Sequence, residues 1–167
     1  MADLLLEVPA APATGVRAMT RSKPGQLEID LDVTPEAVPS VRAIVRAHLE
    51  LWGLSRLTDR VALTVTELLT NVLRHTQPDA HTGARSARLM VTRLPGALNI
   101  CVRDFDVALP QLAHAGLEAE RGLGLHLVVA SADDFGCSLI NGGKDVWANF
   151  LINDSDTNES PQGREAL

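Results

Sequence analysis

Three groups of residues have the types and spacing to do chemistry. The first is Glu67, Asn71 and His75 in the run TVTELLTNVLRHT. At i, i+4 and i+8 they fall within an arc of about 80° on a helix and form one polar stripe. The apolar positions Val61, Val65, Leu68, Leu69 and Val72 are centred beside that stripe. A carboxylate, an amide and an imidazole therefore line the seam between core and solvent. Glu and Asn supply oxygen ligands of the kind Mg²⁺ takes, few in number and shared with water. A solvated helix face with nothing bound presents the same pattern.

The second group is Asp104, directly after the strand-like run Leu98 to Arg103. An Asp leaving a strand serves as a turn or cap residue, or as a carboxylate that accepts hydrogen bonds from a ligand amine. The third is Glu120-Arg121-Gly122-Leu123-Gly124-Leu125, where a helical pattern begins. Two glycines let a backbone approach closely, and the amides of a helix N-terminus point at anions such as phosphate.

Other chemistries fail on spacing. The dinucleotide fingerprint is broken by Leu127 at the third glycine position, and no strand leads directly in. Gly143-Lys144 is not a P-loop: Asp145 follows where Ser or Thr is needed, and Ser138 occupies the first glycine position. No Gly-x-Ser-x-Gly, His-Glu-x-x-His or Cys-x-x-Cys occurs, and the five histidines lack zinc-ligand spacing. Lys144 and Trp147, in GGKDVWANF, read as turn and strand residues.

These groups need elements to position them. Gln26 to Val33 alternates apolar and acidic residues, the pattern of a half-buried strand. Thr34-Pro35-Glu36 starts a helix whose apolar positions are Val38, Val41, Val45, Leu49 and Trp52, and Gly53 ends it. A second helix runs from about Leu57 to His75. Arg85 to Arg93 and Leu98 to Arg103 form a hairpin about Pro95-Gly96. Residues 104 to 120 have no clean period. A helical pattern resumes from Gly122 to about Ala132, and Phe135 to Ile152 reads as a second hairpin about Asn141-Gly142-Gly143. The fold class is α+β, a two-layer sandwich with helices on one face of a mixed, largely antiparallel sheet.

Composition bounds the rest. The 167 residues are 46% hydrophobic and 22% charged, which suits one globular domain. Residues 1 to 25, with Pro9, Pro12, Gly15, Pro24 and Gly25, read as a flexible arm. Residues 26 to 152 are the folded domain, and 153 to 167 read as a disordered acidic tail. A net charge of −6 and 3% aromatics, with no Tyr, argue against a nucleic-acid partner. No run of apolar residues is long enough to span a membrane. The N-terminus lacks the basic start of a signal peptide, and Cys101 and Cys137 sit in apolar runs as free thiols. The expected location is the cytoplasm.

Taken together and in order, the motifs resemble the GHKL ATP-binding superfamily, and within it the anti-sigma-factor serine/threonine kinases of actinobacterial type. Glu67-x3-Asn71-x3-His75 resembles the N-box. Asp104 with Pro110 resembles the G1 box, and Arg121-Gly122-Leu123-Gly124-Leu125 the G2 box. GGKDVWANF is similar to the last hairpin of that group. The resemblance covers about 34 to 152. It implies a Bergerat, histidine-kinase-like ATPase fold holding ATP and Mg²⁺ beneath a lid at residues 106 to 120. It implies Glu67 as the base, Asn71 as the Mg²⁺ ligand and Asp104 as the acceptor for the adenine amine. His75 belongs to the binding motif, and the amides around Gly122 to Leu125 hold phosphate. The implied partners are an antagonist protein that is phosphorylated, a sigma factor, and a second copy in a homodimer. A non-catalytic module that uses ATP as a structural ligand or switch is the alternative. Phe105, Asp106, Val107 and Ala108 stand where the longer family G1 form has glycines. Lys144 and Asp145 stand near where family members often carry a Thr.

Overall fold

The alternation of the strands decides which way the sheet faces. The computed structural model describes residues 17–105, 127–128 and 130–157. Its strands are β1 (Ala18–Lys23), β2 (Gln26–Asp32), β3 (Ser86–Leu94), β4 (Ala97–Asp104), β5 (Asp134–Ile140) and β6 (Gly143–Leu151). They form one sheet in the order β1-β2-β3-β4-β6-β5. The sheet, expected to be mixed, is antiparallel at every pairing among the described residues.

Register places like residues side by side. Leu27, Val91, Ile100 and Ala148 form one cross-strand row, and Ile29, Leu89, Val102 and Val146 the next. All eight are buried. They carry the core together with helices α1 (Ala37–Leu51) and α2 (Thr58–His75). α1 lies against β2 and α2 against β4, which makes the α+β sandwich. The other face of the sheet is polar. There Asp30, Arg88, Arg103 and Asp145 form a row of charges, with Arg88 on Asp30 at 2.6 Å and Arg103 on Asp145 at 2.7 and 2.8 Å.

The helices start and stop for local reasons. Thr34, expected to be the N-cap of α1, lies two residues before the cap position: Glu36 holds it and its side chain makes no capping bond, while Thr34 Oγ1 accepts from the Ala37 amide at 3.1 Å. Pro35 and Glu36 form a turn, so the helix begins at Ala37 rather than at Pro35. At the other end Gly53 takes φ +71° and donates to Glu50 O at 3.0 Å, while Leu54 donates to Leu49 O at 2.8 Å. That is a Schellman ending, closed by buried Leu49 and Leu54. On α2 the expected apolar stripe of Val61, Val65, Leu68, Leu69 and Val72 is buried.

Two expectations about the chain ends need correction. Ala18–Lys23, assigned to the arm of residues 1 to 25, is a strand. AMTRSK buries no side chain deeply, so it carries no hydrophobic alternation to read. Its backbone ladder to β2 and the ion pairs of Arg21 with Glu28 and Asp30 hold it. The assigned tail of 153 to 167 begins with a hydrogen-bonded turn: Asp156 Oδ2 accepts from the Asn153 amide at 2.9 Å, and Asn153 O from the Asp156 amide at 2.8 Å. Residues 1–16 and 158–167 lie outside the described residues.

Candidate active site

Helix α2 sets Glu67 and Asn71 one turn apart on its flank. Both are partly buried, at the edge of the stripe formed by Leu68, Leu69 and Val72. Such neighbours lie within side-chain reach of a common ligand. Asn71 Nδ2 is buried and has no hydrogen-bond partner among the described residues. A buried amide nitrogen left unpaired is costly. It is satisfied if a ligand anion enters the seam. His75, the last residue of α2, is exposed.

The second half of the site lies at the end of the apolar sheet face. Asp104 continues the inward parity of Leu98, Ile100 and Val102, and Lys144 that of Val146, Ala148 and Phe150. The two are paired residues of β4 and β6. Asp104 is 3% exposed and Lys144 5%, with Lys144 Nζ 3.5 Å from Asp104 Oδ2. Burying two charges is tolerable because each faces the other. Asp104 is thus the last residue of the strand, facing inward, and not a surface turn residue.

Sequence reasoning took Lys144 for a turn residue; it is the second residue of β6. Parity is the signal that would have found it. With Val146, Ala148 and Phe150 inward, position 144 must also face inward, and a charge there needs a partner. Behind the pair, on the outer face, Arg103 binds Asp145 through Nε and Nη2. That hydrogen bonding raises the Arg103 pKa above its usual value.

The structure therefore groups Glu67 with Asn71 and Asp104 with Lys144. Because α2 packs over β4 and Asp104 faces inward, both pairs lie on the helix side of the sheet. Pro110, Arg121, Gly122, Leu123, Gly124 and Leu125, and the expected lid at 106 to 120, lie outside the described residues. Beyond that segment Leu127, Val128, Ala130 and Ser131 are helical, and Val128 is fully buried. Arg60 of α2 fastens the end of this stretch, donating to Ser131 O through Nε at 2.9 Å and Nη2 at 2.7 Å.

Among the described residues no cluster of three or more His, Cys, Asp or Glu side chains is placed to hold a metal. Asn71 Nδ2, a donor without a partner among the described residues, fits a phosphate oxygen, while the side-chain oxygens of Asn71 and Glu67 are the donors that would hold Mg²⁺. Among the described residues no helix is long and apolar enough to cross a membrane.

Comparison with known proteins agrees with this fold. A family model described as a histidine kinase-like ATPase domain matches residues 31–150. No curated protein matches the chain significantly.

Proposed function

The chain belongs to the histidine kinase-like ATPase domain family, an ATP-binding regulatory type of domain, and on that premise we propose that it is a protein serine/threonine kinase of the anti-sigma-factor type. It transfers the γ-phosphoryl group of Mg-ATP to a seryl or threonyl hydroxyl of a small antagonist protein. The observation that supports this reading is the α2 flank: a carboxylate one turn before an amide whose buried nitrogen, a donor for a phosphate oxygen, lacks a partner among the described residues.

In this reading each residue has one task. Asn71 would hold Mg²⁺, and the metal, when bound, would supply neutralisation of phosphate charge. Glu67 takes the proton of the attacking hydroxyl as its oxygen bonds to the γ-phosphorus and ADP leaves. Such catalysis is mostly positioning and charge neutralisation. Asp104 accepts from the 6-amine of adenine, and the segment Arg121 to Leu125 holds phosphate.

The antagonist, a sigma factor sequestered on the same surface, and a second copy of the chain are the partners this reading proposes, in the cytoplasm. The test is incubation of the full chain with radiolabelled ATP, Mg²⁺ and candidate antagonist domains from the same genome. Label on a serine or threonine of one candidate supports the kinase. ATP binding without any transfer supports the alternative, a module that uses ATP as a structural ligand or switch.

A further inference from the structure

Asp104 and Lys144 form the last rung of β4 against β6, since β4 ends at Asp104 and β6 begins at Gly143. Strand ends fray unless something ties them. The rung before it pairs Arg103 with Asp145, and there the tie is a side-chain fork. Arg103 Nε and Nη2 donate to the two carboxylate oxygens of Asp145 at 2.7 and 2.8 Å. We propose that Arg103 and Asp145 act as one positioning pair for nucleotide selection: from the outer face they hold the strand end that carries Asp104 and so sharpen its preference for adenine. This rests on the reading above, in which Asp104 accepts from the 6-amine. Arg103 and Asp145 face the other side of the sheet and act only through Asp104.

Three observations carry this. First, Asp104 and Lys144 lie one residue along each strand from the outer pair and face inward. One peptide unit links each outer residue to a buried one, so a shift of the outer rung is passed to the inner one. Second, the same row holds an internal comparison. Arg88 and Asp30 make the same kind of fork between β3 and β2, at 2.6 and 3.2 Å. The fork nearer the site is the more even of the two, and the Asp145 side chain is 17% exposed against 32% for Asp30. A bidentate pair withdrawn from water holds its geometry better than an exposed one. Third, Arg88 and Arg103 are paired residues of β3 and β4, so like charges meet across that seam. Asp145 is the carboxylate that draws Arg103 the other way, toward β6, across the two strands that carry Asp104 and Lys144.

The test is competition binding of ATP and GTP to the full chain, with Tm measured alongside. Arg103→Ala and Asp145→Ala should each lower the preference for ATP over GTP about threefold to tenfold. The double variant should lose no more than either single one, because the two residues act as a unit. Arg88→Ala breaks the neighbouring fork of the same row; it should lower Tm and leave the preference as it is. A pair that only stabilised the sheet would lower Tm and shift both nucleotides alike, so an unchanged preference in Arg103→Ala and Asp145→Ala overturns the proposal. So does an equal loss of preference in Arg88→Ala, which would make any loosening of the row sufficient. Should Arg103→Ala not fold, Arg103→Lys, which keeps the charge without the fork, should show a smaller loss in the same direction; no loss there counts against the proposal. An unaltered protein that binds ATP and GTP equally, or neither, would overturn the reading of Asp104 itself, a result distinct from all of these.

Discussion

Gly143 backs directly onto the main chain of Asp104. A methyl group added at Gly143 would drive into the Asp104 carbonyl oxygen and lie 3.0 Å from Phe105 Cα and 3.1 Å from the Asp104 carbonyl carbon. All three are backbone atoms, so nothing can swing aside. Gly143 is therefore the residue that lets β6 close on β4 where Asp104 and Lys144 meet. Gly143→Ala should cost about 1–3 kcal/mol of stability, read as a lower Tm. ATP affinity should also fall, because the strand end that carries Asp104 has to move. Wild-type stability and affinity in Gly143→Ala would show that the site does not depend on this approach.

Much of this arrangement was legible in the sequence. Val61, Val65, Leu68, Leu69 and Val72 gave α2 its buried face, and Gly53 marked the end of α1, because both signals are local. β1 was not legible, since its cohesion comes from pairing with β2 and not from its own side chains. Lys144 was missed for a related reason. A lysine beside a glycine turn looks solvated until the parity of β6 is combined with that of β4, a relationship between residues 40 apart. The sequence motif alone gave Asp104 either of two roles; its burial removes the surface turn.

Asp104 should set the base preference. Its carboxylate accepts from the 6-amine of adenine and repels the 6-carbonyl of guanine. Asp104→Asn should remove most of the preference for ATP over GTP, since a charge-assisted hydrogen bond is worth about 1.5–3 kcal/mol. Asp104→Ala is the poorer variant. It leaves the buried Lys144 ammonium without its carboxylate, at a cost of about 3–5 kcal/mol. Competition binding with the two nucleotides checks this, and an unchanged ratio in Asp104→Asn would contradict it.

Arg60 should act as a structural clamp. It donates twice to the Ser131 carbonyl, pairs with Asp133 at 3.4 Å and lies over the Phe150 ring at 5.2 Å. Asp133 in turn accepts from the Leu151 amide at 2.7 Å. Arg60→Ala should lower stability by about 1–3 kcal/mol. Arg60→Lys should recover only part of it, because an ammonium lacks the fork that reaches the carbonyl twice. Denaturant unfolding of the three proteins gives the ranking, and full recovery by Lys would show that charge alone matters.

Alkali should destabilise the fold through Cys101. Burial is the main cause that pushes its thiol from 9.0 up to about 12, and the neighbouring Asp145 carboxylate adds to it. The unfolded chain loses this proton first, so unfolding is favoured as pH rises. The contribution is complete below pH 9 and is lost progressively between 9 and about 12. Cys101→Ser should flatten that part of the stability profile. The native thiol should also resist alkylation at pH 8 and react once the protein is unfolded.

The role of Glu67 tests the central claim most directly. The measurement is a pair of assays on the unaltered protein and on Glu67→Ala: ATP binding, and transfer of label from ATP to the cognate antagonist protein. Glu67 lies one turn from Asn71 and is not the only group offered to the metal, so ATP affinity should stay within a few fold. Loss of the base should lower transfer by about 10²–10⁴. Asn71→Ala serves as the contrast, because it removes a metal ligand and should weaken Mg-ATP binding itself. Full transfer by Glu67→Ala, or no transfer by an unaltered protein that binds ATP in the presence of its cognate partner, would contradict the account.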